Sequence, residues 1–243
     1  MNPKDLKIIF EDEHLIAVDK PAGVLTIQDR FNPQLPNLSG LLKKVNQEII
    51  PVHRLDKFTS GVNVFAKNAE SHKILSMGFQ TREVEKYYYA IVDEAPSPES
   101  GRIDVPLAES TVTRGKMLVH PRGKESITEY KIIKNFKSYS LLYIRIYTGR
   151  MHQIRVHMQY LGNPLIVDPI YGNREAFFLS EIKQKKFNLG KFEKEKPLIS
   201  RQPLHAGKII LNHPVSNEKM EFNSAIPRDI QAVINQMEKW IRI

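Results

Sequence analysis

Short β-prone runs recur along this chain, broken by glycine, proline and polar turns, and helical periodicity surfaces at only a few places between them. "LKIIFEDEHLIAVDKPAGVLT" holds two such runs, "IIF" and "LIAV", split by the turn "EDEH" and ended by "KPAG". "GVNVFAKN" alternates Val62, Val64 and Ala66 with polar positions, the pattern of a strand with one buried face. "EKYYYAIVDE", "GRIDVPL", "TEYKIIKNF", "YSLLYIRIYTG" and "PLHAGKIILNHP" read as further strands. Helices are expected over 38–47, over "AESHKILSMGFQTR", over "RMHQIRVHMQYLG" and over the closing "IPRDIQAVINQMEKWI". In the third, Met151, Ile154, Met158 and Leu161 form a stripe, with Gly162 at the position of a C-terminal cap. In the fourth, Ile230, Val233, Ile234, Met237 and Ile241 face inward behind Pro227. Strands and helices do not alternate regularly. That predicts an α+β fold, a large mixed and mainly antiparallel central sheet flanked by helices and loops, rather than a doubly wound parallel sheet.

No internal repeat and no linker marks a second domain, so residues 1–243 are expected to form one catalytic domain. After "PLIVDPIYG" the pattern fades, and 173–202 reads as a basic loop insertion. Within it, 183–196 holds six Lys against two Glu, a local net of +4. The whole chain is basic as well, with 36 Lys and Arg against 27 Asp and Glu, a net +9. A surface of that sign suits a polyanionic partner. There is no cysteine, which excludes disulfides and thiolate metal sites and suits a reducing cytoplasm. The start "MNPKDLKIIFEDEH" has no signal-peptide apolar core, and no run reaches the roughly 18 apolar residues of a membrane span.

Several chemistries lack their residues. His152 and His157 are five apart, roughly 140° around a helix, too far for one shared ion. His53 and Asp56 have no evident third ligand, so no metal is expected. Neither "GxxxxGK[ST]" nor a "GxGxxG" after a strand is present, and the "TSG" at 59–61 lacks nucleophile-elbow spacing. What remains is "HRLD" at 53–56, the tyrosines 87–89, the basic "GRMHQIRVH" and a basic surface. Each alone has an ordinary structural reading: a turn aspartate, sheet tyrosines, a solvated arginine.

Together they resemble the RluA family of pseudouridine synthases. "HRLDKFTSG" is similar to the family's HRLD-x-x-TSG signature, "EKYYYAIV" to its K-x-Y-x-A motif, and "TGRMHQIRVHMQYLGNPLIVDPIYG" to its third motif. "FEDEHLIAVDKPAGVLT", "PLHA" and the later "HP" match as well, so the resemblance spans about residues 7–229. The stretch "IQDRFNPQLPNLSG" departs from it, and no S4-type RNA-binding extension is seen before residue 7; both bear on substrate choice. The resemblance implies conversion of uridine in ribosomal or transfer RNA to pseudouridine, with no cofactor of any kind, nucleotides included. It implies Asp56 as the essential carboxylate, Arg155 as its cationic partner and Tyr88 as the tyrosine that stacks on uracil and takes the C5 proton. Arg54 is expected to enter the RNA stack where the target nucleotide leaves, with His53 and Arg150 as further RNA-binding residues. A cytoplasmic monomer acting on a structured stem-loop, without membrane contact, completes the expectation. Two alternatives stand beside it: a catalytically inactive RNA-binding relative, and a hydrolase of the glycosidic bond, which would want a second carboxylate.

Overall fold

The computed structural model describes residues 5–184, 187–188 and 194–243. Much of the basic run 183–196, namely residues 185–186 and 189–193, therefore lies outside the described residues. In chain order the elements are β1 (Lys7–Glu11), β2 (Leu15–Lys20), α1 (Leu38–Lys43), β3 (Ile50–Pro51), β4 (Ser60–Ala66), α2 (Ala69–Gln80), β5 (Glu85–Asp93), β6 (Ser100–Asp104), β7 (Leu107–Glu109), β8 (Met117–Val119), β9 (Ile127–Asn135) and β10 (Tyr139–Ile146). There follow α3 (Gln153–Tyr160), α4 (Leu179–Lys183), β11 (Leu204–Asn212), β12 (Lys219–Asn223) and α5 (Arg228–Ile241). The class is α+β, with a large mixed sheet and few helices, as the strand pattern predicts.

The residues group into two compact units, neither contiguous in sequence. One takes the chain up to Tyr87 with His205–Ala225, the other Tyr88–Leu204 with Ile226–Ile243. The chain passes from one to the other in mid-strand at Tyr87–Tyr88, which is why no linker is visible in the sequence.

In the first unit the strand order is β1-β2-β4-β11, with β12 on β11 and β3 on β4. β2 and β4 pair antiparallel, Leu15 opposite Ala66 through Lys20 opposite Gly61. β4 and β11 run parallel, with His205 opposite Ser60 and Ala206 opposite Gly61. Alternation divides the core into two layers. Leu15, Ala17, Val62, Val64 and Ala66 pack with Leu75 of α2 and with Ile209 and Leu211 of β11. Ile16, Val18 and Phe65 pack on the other side with Leu38 and Leu42 of α1. β4 is thus buried on both faces, where its sequence predicts one. The difference comes from α1, which covers the second face and makes Phe65 a core residue. Its burial stabilises by about 1.5–3 kcal/mol. Side-chain capping by Asn37 on Gly40 N–H starts α1. The expected helix α2 buries Leu75, while Ile74 and Met77 are exposed.

In the second unit the order is β5-β10-β9-β6. β9 pairs antiparallel with both β10 and β6, and β7 with β8 forms a small separate hairpin. α5 lays Ile230, Val233, Ile234 and Met237 into a core with Ile91, Leu141, Ile166 and Val167, as its stripe predicts. Ile241 is partly buried at its end. The same core takes Phe177, Ile182 and Ile199 from the stretch read as a loop. Phe177 N–H donates to Ile199 O at 2.8 Å, and Ile182 comes from the short helix α4, which has no signal in the sequence.

Candidate active site

Asp56 sits in the turn that leads from β3 into β4, and the backbone on both sides of it is fixed. Thr59 N–H closes the turn on Asp56 O at 3.1 Å. Leu55 N–H donates to Thr26 Oγ1 at 3.0 Å, and the hydroxyl donates back to Leu55 O at 3.1 Å. On the other side, Lys57 O accepts from Gly23 N–H at 2.8 Å and from Lys20 Nζ at 3.1 Å. Lys20 is fully buried, and its ammonium donates also to Pro21 O at 3.1 Å and Val24 O at 2.6 Å. An ammonium withdrawn from water needs such partners, since burying it bare costs several kcal/mol. The "KPAG" loop therefore clamps the "HRLD" loop, with Gly23 supplying a left-handed φ of 87° at the bend. Asp56 itself is half-buried, while Arg54, Lys57 and Phe58 are exposed.

His53 does something other than meet solvent. Its Nε2 accepts the β4 amide of Val64 at 3.0 Å and lies 3.1 Å from Asn63 Nδ2. β3 pairs with β4 only at Ile50 and Pro51, and the imidazole takes the next β4 amide in the ladder's place. Its ring stacks on Phe79 at 4.8 Å. Burial, with Lys86 nearby, pushes its pKa down to about 3, so the ring is neutral and its acceptor nitrogen is kept.

The rest of the motif fixes β4 against β11. Ser60 Oγ and His205 Nδ1 lie 3.0 Å apart, and His205 Nε2 donates to Ser224 O at 3.0 Å. The "TSG" and "PLHA" sequences are two sides of one parallel strand pairing.

The second unit carries Tyr88 and Arg155. Of the three tyrosines in β5 only Tyr88 is buried. Tyr87 donates to Glu85 Oε2 at 2.5 Å, and Tyr89 packs on Tyr143 at 5.3 Å. α3 is buried almost all round, Gln153 to Met158, rather than along the predicted stripe alone, and Met151 and Leu161 flank it. Gly162 follows its last residues with φ 84°, as its expected capping role requires. Gln153 locks the start of the helix: its Oε1 accepts from Thr148 Oγ1 at 2.7 Å and Arg150 N–H at 3.0 Å, and its Nε2 donates to Ile127 O and Thr128 Oγ1, both at 3.0 Å. Arg155 is 4% exposed and forms a bidentate pair with the fully buried Asp168, Nε to Oδ2 at 2.6 Å and Nη2 to Oδ1 at 2.8 Å. The Tyr171 ring lies 4.8 Å from the guanidinium carbon. Arg150 is half-buried, its Nε donating to Glu125 O at 3.1 Å. Lys20, Gln153, Asp168 and Tyr171 are the residues that single-residue reasoning passes over. Each lies inside a stretch that matches a family motif, which is the signal that points to them.

Residues 14–160 match the family described as RNA pseudouridylate synthase. The chain belongs to that family. A protein of Zymomonas mobilis named ribosomal large subunit pseudouridine synthase D is 36% identical over 97% of this chain and 74% of its own length. The protein of the same name from Pseudomonas aeruginosa is 36% identical over 93% and 69%. Among solved structures, human RNA pseudouridylate synthase domain containing 4 has a TM-score of 0.70 at 23% identity, over 99% of this chain and 96% of that one, a likeness of fold. As a pseudouridine synthase, this protein is an isomerase that acts on uridine in RNA. Among the described residues no helix is long and apolar enough to cross a membrane.

Proposed function

We propose that this synthase modifies large-subunit ribosomal RNA in the cytoplasm, as a monomer that needs no nucleotide cofactor, with Asp56 as the reacting carboxylate. The observation that carries the substrate is the match, over nearly the whole chain, to relatives named for that RNA. A structured stem-loop is the form of substrate that fits, since such RNA offers a base that can be extruded.

In the reaction the N1–C1′ bond breaks and a C5–C1′ bond forms. The C5 proton leaves and N1 takes one up, so mass is unchanged. Asp56 acts by attack at C1′ or by removing the 2′ proton. Its clamped backbone supports that role, because a nucleophile or base gains most when its approach is preset. Tyr88 stacks on the extruded uracil and accepts the C5 proton; its burial between the half-buried Tyr87 and Tyr89 supports a place off the solvent face. Arg155 supplies the guanidinium that orients the reacting carboxylate. Arg54, exposed beside Asp56, fills the gap left in the RNA stack, and Arg150 contacts phosphate. His53 is better read as the anchor of the motif than as an RNA contact, because its acceptor nitrogen is committed to β4.

RNA labelled with 5-³H-uridine in cells lacking the gene, fractionated into ribosomal and transfer RNA, tests both parts. Tritium release from the large-subunit fraction is expected. Release from transfer RNA alone would reassign the substrate. Asp56→Asn should abolish release while RNA affinity stays within about tenfold, since affinity rests on many phosphate contacts. Residual single-turnover activity above a tenth of wild type would remove Asp56 from its role.

A further inference from the structure

We propose that Asp168 is a positioning residue for the reaction, holding the Arg155 guanidinium at the angle at which it works. The inference rests on the role given to Arg155 above. Asp168 acts through the arginine and not on the substrate itself.

The geometry is that of a built clamp. Asp168 grips one edge of the guanidinium, the edge formed by Nε and Nη2, at 2.6 and 2.8 Å. The carboxylate is itself immobilised, because Oδ1 also accepts from Ile170 N–H at 3.0 Å and Tyr171 N–H at 3.1 Å. The guanidinium face is set by the Tyr171 ring, and that ring is pinned through its hydroxyl, which accepts from Met117 N–H at 2.7 Å and lies 2.9 Å from His152 Nδ1. Edge and face are thus both fixed, and the Nη1 hydrogens are directed away from Asp168. His152, Arg155, Asp168 and Tyr171 fall within one motif-like stretch, and this arrangement accounts for all four.

A buried ion pair is weak grounds for stability, since apolar residues of like volume often serve as well or better. Aiming hydrogen-bond donors is a task that apolar residues cannot take over. Asp168 also cancels the arginine's charge. The pair then offers oriented donors without the full positive charge that would bind a reacting carboxylate too well. Misplacing such a group by about 1 Å costs on the order of 100-fold in rate.

The test uses the full chain, the RNA fraction that wild type modifies, single-turnover tritium release at saturating RNA, and a filter-binding titration alongside. Asp168→Asn should slow release about 100-fold with RNA affinity within about threefold. Arg155→Lys should slow it comparably, and the double variant should be no slower than the slower single one. Asp168→Asn within threefold of wild type overturns the proposal. So does a double variant whose loss is the product of the two single losses, because Asp168 then acts independently of Arg155. Normal release by Arg155→Lys would instead strike the role of Arg155 itself. If Asp168→Asn does not unfold cooperatively, Asp168→Glu is judged by the same rates, its carboxylate kept but displaced by one methylene. Loss of folding in both variants would assign Asp168 to stability alone.

Discussion

Gly61 has a φ of 112°, and a Cβ built there would lie 2.1 Å from Ala206 O. Neither strand can yield without breaking the β4–β11 pairing, so Gly61→Ala should destabilise by more than about 3 kcal/mol in urea unfolding at constant slope. The motif displays this glycine, yet the letters alone do not say whether it serves the turn, the substrate or, as the structure has it, a neighbouring strand. Two histidines make a second prediction. His157, fully buried between Thr128 Oγ1 and Val105 O, has its pKa pushed down to about 4 by burial. For His53 the value is about 3. Both folded values lie below the unfolded 6.5, so the unfolded chain binds more protons. The stability they contribute is complete above about pH 6.5 and is lost as pH falls towards 4 and 3. From pH 7 to 5 the loss should be about 2 kcal/mol for His157 and of the same order for His53, because that window lies above both folded values. Denaturant unfolding at the two pH values checks this, and His157→Gln should remove its share of the slope.

At the scale of elements, α3 depends on one side chain. Gln153 makes four hydrogen bonds, to Thr148, Arg150, Ile127 and Thr128, from a position 3% exposed. Gln153→Ala leaves several of these buried groups unsatisfied and should cost about 2–4 kcal/mol. Equilibrium unfolding measures it, and a loss under 1 kcal/mol would mean that water takes the glutamine's place. No periodicity announces such a residue, because a buried glutamine reads as a surface one. The same limit explains what else was legible. β1, β2, β5, β9, β10, β11 and α5 show themselves through local alternation or a 3.6-residue stripe. The second buried face of β4 and the burial of α3 on nearly every side depend on what packs against them from elsewhere in the chain. β7, β8 and α4 are too short for a period to show. Asp56, Tyr88 and Arg155 stand out as motif letters, whereas Asp168 and Lys20 acquire meaning only from the groups they bind.

For the whole molecule the governing quantity is charge. The net +9 comes from 36 cations against 27 anions, and RNA must shed counterions wherever those cations replace them. The logarithm of affinity should therefore fall linearly with the logarithm of salt. With about four to eight phosphate contacts the slope lies between about −3 and −7, because each contact contributes roughly 0.7–0.9. Chemistry follows a different rule. Once RNA is bound, the reacting groups are shielded from solvent ions, so the single-turnover rate at saturating RNA should stay nearly constant across the same salt range. Point variants divide the footprint further. Arg150→Ala, if Arg150 meets a phosphate, should reduce the slope by just under one and leave the saturated rate alone. Arg54→Ala, if its side chain fills the vacated stack, should instead slow base extrusion and lower the saturated rate with little change in slope. A filter-binding series in potassium chloride, run beside tritium release, separates the two. A flat plot for wild type would mean that the basic surface serves some other purpose than holding RNA.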